Sequence, residues 1–252
     1  MTGLVLRGVT RDFSEPTERH VLRGIDLVLA PGEFVSLVGP SGSGKTTLLR
    51  IIAGLDAPDA GSVTWQAAKR PRLGAVFQEP RLVPWLSILD NLLLVTGPDR
   101  GERAHSLLAA VELAGNEDAL PGQLSGGMQR RAALARALLV EPDFLLLDEP
   151  LISLDSALAE RMRRLLNDYW RERRTTTLLV THNVSEAVEL STRILILSPG
   201  EGRITADCAL PPPDPRQRSD RAVTAVLEDL RRLTQAWPRP DPAAHDALSR
   251  AS

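Results

Sequence analysis

The sequence has a single cysteine, Cys208. That excludes an internal disulfide and a cysteine-based metal cluster, and it fits a reducing compartment. No apolar run reaches membrane-spanning length, so any role at a membrane must come through a partner. The first residues, Met1-Thr2-Gly3-Leu4, carry no basic segment followed by a long apolar stretch, so no signal peptide is expected. Neither sign of charge dominates: the formal net charge is −2, which gives no reason to expect nucleic acid as a partner. The arginines between Arg161 and Arg174 are interleaved with Asp168 and Glu172, follow Glu160, and read as the solvated face of a helix. What remains, 43% hydrophobic and 25% charged over 252 residues, suits one large α/β domain with room for a subdomain.

The most informative stretch is Gly39-Pro40-Ser41-Gly42-Ser43-Gly44-Lys45-Thr46, a G-x-x-x-x-G-K-[ST] loop. An apolar strand, residues 34–38, precedes it, and a helix starting at Thr47 and reaching residue 53 follows it. Glycines let backbone N–H groups turn inward and approach phosphate oxygens, and the helix N-terminus adds partial positive charge. Lys45 is placed to reach the β- and γ-phosphates and the Thr46 hydroxyl to sit on Mg²⁺. The expected ligand is a nucleoside triphosphate.

Strands are expected at residues 4–9, 25–29, 62–65, 73–77, 144–147, 177–180 and 194–197, the last of these being the final core strand. The polar segment 14–19 and the segment 58–61 read as turns. Helical spacing governs residues 84–139: Ile88, Leu92 and Val95 in one segment, then Leu107, Leu108 and Val111, with residues 99–102 as the break between them. Ser125 N-caps a third helix with glycines in its first turn. Residues 156–170 and 185–190 complete the helices. Apolar strands alternating with helices argue a mostly parallel sheet covered on both faces, with a helical insertion. Pro211-Pro212-Pro213-Asp214-Pro215 ends the core, and Val223, Val226, Leu227, Leu230 and Leu233 form an apolar helical stripe beyond it. The expected division is residues 1–215 as the nucleotide-binding domain, with the insertion at about 84–139, and 216–252 as an amphipathic helix and tail.

Asp148 ends the apolar strand 144–147, where a carboxylate can hold Mg²⁺ through water. Glu149 follows at once and suits a general base that orients and deprotonates an attacking water. Leu124-Ser125-Gly126-Gly127-Met128-Gln129 makes a second anion site from a serine hydroxyl and glycine amides at a helix N-terminus. One chain binds one triphosphate, so a second anion site points to nucleotide held by another copy; a capped helix with a glycine-rich entry is the plain alternative.

Residues 39–46, Gln78, 124–129, 144–149, Leu154-Asp155 and His182 occur in the order and approximate spacing of ATP-binding cassette (ABC) proteins, which this sequence resembles from about residue 4 to 197. The resemblance implies an α/β fold of the P-loop NTPase type: a RecA-like, mostly parallel sheet with an antiparallel β part and an inserted α-helical subdomain. It also implies ATP and Mg²⁺ as ligands, and an ATPase activity coupled to transport. In it, Phe13 stacks on adenine, Gln78 approaches Mg²⁺ and the attacking water, and His182 contacts the γ-phosphate. Asp155 lies in the loop that crosses a dimer interface, preceded here by Ile152-Ser153 where the family more often has serine-alanine.

With one cassette and no membrane helix, the chain resembles the separate ATPase subunit of an importer. Residues 78–86, with Leu82-Val83-Pro84-Trp85 after the glutamine, followed by Asp90-Asn91, look like the subgroup serving nitrate, sulfonate and taurine uptake. The implied partners are a second cassette (homodimer or heterodimer), integral-membrane permease subunits and, indirectly, a substrate-binding protein, at the cytoplasmic face of the membrane. Trp85 and its neighbours are expected to line the groove that receives a permease helix. A non-transport cassette protein, or an importer subunit for a thiamine precursor or metal complex, is the alternative. The first kind generally carries two cassettes or long heptad segments, and neither is present here.

Overall fold

The computed structural model describes residues 2–13, 19–67, 70–198, 200–210, 228 and 230. Two sheets form. The smaller holds β1 (Gly3–Phe13), β2 (Arg19–Leu29) and β4 (Ala60–Gln66), all antiparallel, in the order β2-β1-β4. The larger contains β3 (Phe34–Val38), β5 (Leu73–Val76), β6 (Phe144–Asp148), β7 (Thr176–Thr181), β8 (Arg193–Leu197) and β9 (Ile204–Ala209). Its order is β5-β6-β7-β3-β8-β9, parallel throughout except for β9.

The buried strands read as unbroken apolar runs because both faces of the large sheet are covered. On one face Phe34, Leu145, Leu147 and Leu179 pack with the helices, where the Phe34 and Trp170 rings meet edge to face at 6.2 Å. On the other, Val35, Leu37, Phe144, Leu146 and Leu178 pack with Leu4, Leu6 and Leu27 of the small sheet and with Leu48 and Ile52. The last two lie on α1 (Lys45–Ala53), which starts two residues earlier than the sequence suggests.

The helical insertion consists of α2 (Ile88–Leu93), α3 (Gly101–Ala110) and α4 (Gly126–Leu139). Gly101 and Glu102 are not a break. A 3₁₀ turn at Pro98–Arg100, with Pro98 in its first turn, feeds straight into α3, so the two form the first turns of one element. Two further helices, α5 (Ser156–Arg173) and α6 (Val184–Leu190), flank β7.

The 193–197 strand is not the last of the core. β9 pairs antiparallel with β8, Arg193 facing Ala209, and the Arg193 guanidinium pairs with Asp207 at 2.7 Å across that edge. Arg19 likewise belongs to a strand rather than a turn, opposite Phe13. Of the expected C-terminal stripe only Leu230 is described; it is buried against Val38, Ala187 and Ile196. Val223, Val226, Leu227 and Leu233, the proline run 211–215 and the turn 14–18 lie outside the described residues.

Candidate functional site: a glycine-rich loop with two carboxylates and a histidine

The carboxyl ends of β3, β6 and β7 lie side by side, and the loops leaving them carry the chemistry. After β3 the chain turns through residues 39–44 into α1. Two glycines are demanded by the local backbone. A Cβ on Gly39 would lie 2.9 Å from the Leu197 carbonyl oxygen. Gly44 has φ 101 and would meet the Val21 carbonyl oxygen at 2.9 Å. Gly44 is also the N-cap of α1 and supplies no side-chain acceptor, so the first N–H groups of that helix are free of a side-chain cap. The Ser43 hydroxyl, buried, has no partner among the described residues. Uncapped N–H groups, a partnerless hydroxyl and a buried ammonium together suit a bound polyanion.

That ammonium is Lys45, whose Nζ donates to the carbonyl oxygens of Gly39 and Pro40, both at 2.8 Å. Burial lowers its pKa from the ordinary lysine value, against the attraction of Glu149 and Asp148. Next to it, the Thr46 hydroxyl donates to Asp148 Oδ2 at 2.8 Å. Asp148, the last residue of β6, is buried, and burial pushes its carboxyl up to about 6. A hydroxyl and a buried carboxylate in contact, beside a loop built for phosphates, fit Mg²⁺, which binds through one or two side chains plus phosphate oxygens. Among the described residues there is no cluster of three His, Cys, Asp or Glu side chains that would hold a metal without those phosphates.

Glu149 has φ 48, a left-handed conformation unusual for a side-chain-bearing residue. Its N–H donates to the Val180 carbonyl at 2.9 Å, and this sharp turn off β6 aims the carboxylate across to β7. There Oε1 lies 3.0 Å from His182 Nδ1. The hydrogen bond to Glu149 raises the His182 pKa above its ordinary value, against the effect of burial. Lys45, Thr46, Asp148, Glu149 and His182 are therefore one contiguous group, joined by hydrogen bonds at Thr46–Asp148 and Glu149–His182 and by charge attraction between Lys45 and the two carboxylates.

A second group is formed by the N-termini of α4 and α5. Ser125 caps α4, accepting from the Met128 N–H at 3.3 Å, and Asp155 caps α5, accepting from the Leu158 N–H at 2.9 Å. Both caps are exposed. The glycines here differ from those of the phosphate loop: a Cβ on Gly126 would meet nothing within 4 Å, and one on Gly127 would make only an ordinary 3.5 Å contact with Leu154. Nothing among the described residues requires glycine at either position.

Gln78 lies just beyond β5 and is exposed, and Phe13, at the end of β1, is 39% exposed with the Arg11 guanidinium 5.0 Å from its ring centroid. His20, Val21 and Arg23 of β2 form a small cleft with Gly42 and Ser43, a wall of the phosphate loop that sequence patterns do not mark. The structural work of three further side chains was not read from the sequence: Asn91, noted there only as part of the subgroup motif, and Arg136 and Arg130, which act on distant backbone. Asn91, fully buried, accepts from the Val83 N–H at 2.7 Å and donates to the carbonyls of Val83, Leu86 and Ser87. Arg136 donates to the carbonyls of Pro80 and Arg81, both at 3.0 Å, and Arg130 makes longer contacts with those of Gln78 and Ile152. The segment from Gln78 to Ser87 is thus bound to α2 and α4, with Trp85 left 76% exposed on its outside.

Residues 22–152 match the sequence model of the ABC transporter family, just over half of the chain. The chain belongs to the ABC transporter family. Its relatives within that family include the aliphatic sulfonates import ATP-binding protein SsuB 2 of Streptomyces avermitilis, 49% identical over 89% of this chain and 88% of the relative. SsuB 1 of Rhodococcus jostii is 47% identical over 91% of this chain and 92% of its own length. Among solved structures, the dimeric ATP-binding cassette MJ0796 in a post-hydrolysis state with ADP and Pi superposes with a TM-score of 0.75. It is 33% identical and covers 82% of this chain and 99% of the cassette. This ABC transporter chain is an ATPase with the P-loop NTPase fold, and no helix among its described residues is long and apolar enough to cross a membrane.

Proposed function

We propose that this ABC protein closes with a second cassette around two ATP molecules and drives uptake of aliphatic sulfonates through a separate permease. The observation that carries the catalytic part is the continuous group Lys45, Thr46, Asp148, Glu149 and His182. Lys45 gives up the Gly39 and Pro40 carbonyls for the β- and γ-phosphates, and Thr46 with Asp148 would hold Mg²⁺, which would neutralise phosphate charge. Glu149 accepts the proton of the attacking water, and His182 contacts the γ-phosphate while holding the Glu149 carboxylate in place. Gln78 approaches the same water, Phe13 packs on adenine, and residues 39–47 surround the phosphates.

Dimerisation is supported by the glycines of α4. Glycine costs up to roughly 1 kcal/mol relative to alanine inside a helix, and neither the backbone nor the packing among the described residues asks for it at Gly126 or Gly127. The demand comes from outside: a nucleotide on the opposite copy that must approach the Ser125, Gly126 and Gly127 backbone closely, with Asp155 beside it. The dimeric state of the similar cassette points the same way.

The substrate class follows the sulfonate import relatives. The exposed Trp85 and its neighbours are expected to line the groove that receives a permease helix at the cytoplasmic face of the membrane, and a substrate-binding protein outside feeds that permease. The test is uptake of a labelled alkanesulfonate by host cells with and without the gene, and with Glu149→Gln in its place. Uptake lost in both altered strains is the expected result; undiminished sulfonate uptake with loss of another solute reassigns the substrate.

A further inference from the structure

Between the end of β7 at Thr181 and the start of α6 at Val184 there are only two residues, His182 and Asn183. This turn must hold the His182 ring against Glu149, and backbone geometry alone does not fix it. A closed set of hydrogen bonds does. The Thr181 hydroxyl accepts from the Asn183 N–H at 3.0 Å and donates to Glu186 Oε2 at 2.6 Å. Asn183 Oδ1 accepts from the N–H groups of Ser185 and Glu186, at 3.0 and 3.2 Å. The far end of the set is Glu186, a carboxylic acid only 6% exposed in a helix otherwise buried through Ala187, Val188 and Leu190. Burying a carboxyl there is unfavourable by itself, and burial raises its pKa. Its second oxygen, Oε1, has no hydrogen-bond partner among the described residues. Arg163 of α5, Glu149 and His182 are the charges it feels. An apolar residue would serve packing better, so the acid is retained for what its one short bond does.

We infer that Glu186 is a positioning residue for ATP hydrolysis: through Thr181 it fixes the strand-to-helix turn that sets the His182 ring on Glu149. This rests on the placement of His182 at the γ-phosphate side of the site. The Thr181 hydroxyl is the joint, because it bonds both the Asn183 N–H of the turn and the Glu186 carboxylate. Glutamine at 186 keeps an acceptor for that hydroxyl, whereas alanine removes it.

The test is steady-state ATPase of the full chain, with kcat and KM for ATP separated, for Glu186→Ala, Glu186→Gln, Thr181→Val, His182→Ala and the Glu186→Ala/His182→Ala pair. Misplacing a catalytic group by a fraction of an ångström to one ångström costs roughly tenfold to a hundredfold. Glu186→Ala and Thr181→Val are expected to lower kcat about tenfold with KM changed less than about twofold, and Glu186→Gln to stay within about threefold of wild type. In the His182→Ala background Glu186→Ala is expected to cost nothing more, because both losses run through the same ring. Unchanged kcat in Glu186→Ala, or fully multiplicative losses in the pair, overturns the inference. Should Glu186→Ala fail to fold, as judged by its melting transition, Thr181→Val carries the same comparison. A wild-type chain without turnover would fault the ATPase reading instead. The His182 ring proton resonance, expected to shift in Thr181→Val and not in Glu186→Gln, then still decides whether Glu186 positions the ring.

Discussion

His182 Nδ1 and Glu149 Oε1 are 3.0 Å apart across the ends of the neighbouring strands β7 and β6. The contact links the residue proposed to abstract a proton with the residue proposed to contact the γ-phosphate. It also explains why Glu149 tolerates φ 48: the turn that strains its backbone is what brings its carboxylate to the imidazole. Glu149→Gln keeps the size and one acceptor oxygen but cannot take a proton. ATP binding should persist while kcat falls on the order of a hundredfold or more, the usual worth of a general base. With hydrolysis blocked, the ATP-bound dimer should accumulate, visible as a doubled mass by light scattering in the presence of ATP. Normal turnover in this variant would remove Glu149 from the mechanism.

The same pair makes a pH prediction. The Glu149 hydrogen bond raises the His182 pKa above its ordinary 6.5. A raised histidine binds its proton more tightly folded than unfolded, so its contribution to stability is complete below pH 6.5 and is lost as pH rises through the folded value. The denaturation midpoint of wild type should therefore exceed that of His182→Ala by more at pH 5.5 than at pH 8.5. One of the four histidine ring signals should titrate above 6.5 and fall back in Glu149→Gln. Equal differences at both pH values would contradict the coupling.

Lys45 is bonded to two loop carbonyls and is buried. Replacing it with alanine removes the charge meant for the phosphates, and hydrogen bonds to charged groups are worth about 1.5–3 kcal/mol each. ATP affinity of Lys45→Ala should drop at least tenfold by calorimetry. The buried ammonium also closes the loop on itself, so the unliganded variant should melt slightly lower. Unchanged affinity would mean that the loop does not hold the triphosphate.

How much of this could be read in advance depends on how local the physics is. The phosphate loop, Asp148 at a strand tip and the Ser125 cap were legible because each is a short-range requirement: positive φ, an uncapped helix start, a hydroxyl three residues from its N–H. The strand β9 was missed although Ile204, Ala206 and Cys208 alternate inward, because two of those three are small and the period-two signal is weak. The start of α3 was missed because Gly101 looks like a breaker, and only the preceding 3₁₀ turn shows how the helix is entered. Arg136 could not be read at all. Its guanidinium serves carbonyls more than fifty residues earlier in the chain, and a backbone acceptor leaves no mark on sequence.

The stretch between Gln78 and Ser87 offers the sharpest contrast between a residue that holds structure and one that waits for a partner. Asn91 is fully buried and uses both ends of its amide on the backbone of Val83, Leu86 and Ser87. Alanine there would leave the Val83 N–H and the Leu86 carbonyl without their side-chain partner, at about 1–3 kcal/mol for each group that water cannot reach. The Val83 and Ser87 carbonyls keep the Leu86 and Asn91 N–H groups. Asn91→Ala should lose about 2–4 kcal/mol in urea denaturation. Aspartate keeps the acceptor for Val83 but loses the donors, so it should be no better. Trp85, six residues earlier and 76% exposed, buries little in this chain, and Trp85→Ala should stay within about 0.5 kcal/mol of wild type. Its loss should appear only with the membrane partner, as failure of the cassette to co-purify with permease in detergent. If Trp85→Ala is destabilising and still co-purifies, the indole belongs to the core of the insertion rather than to the docking face.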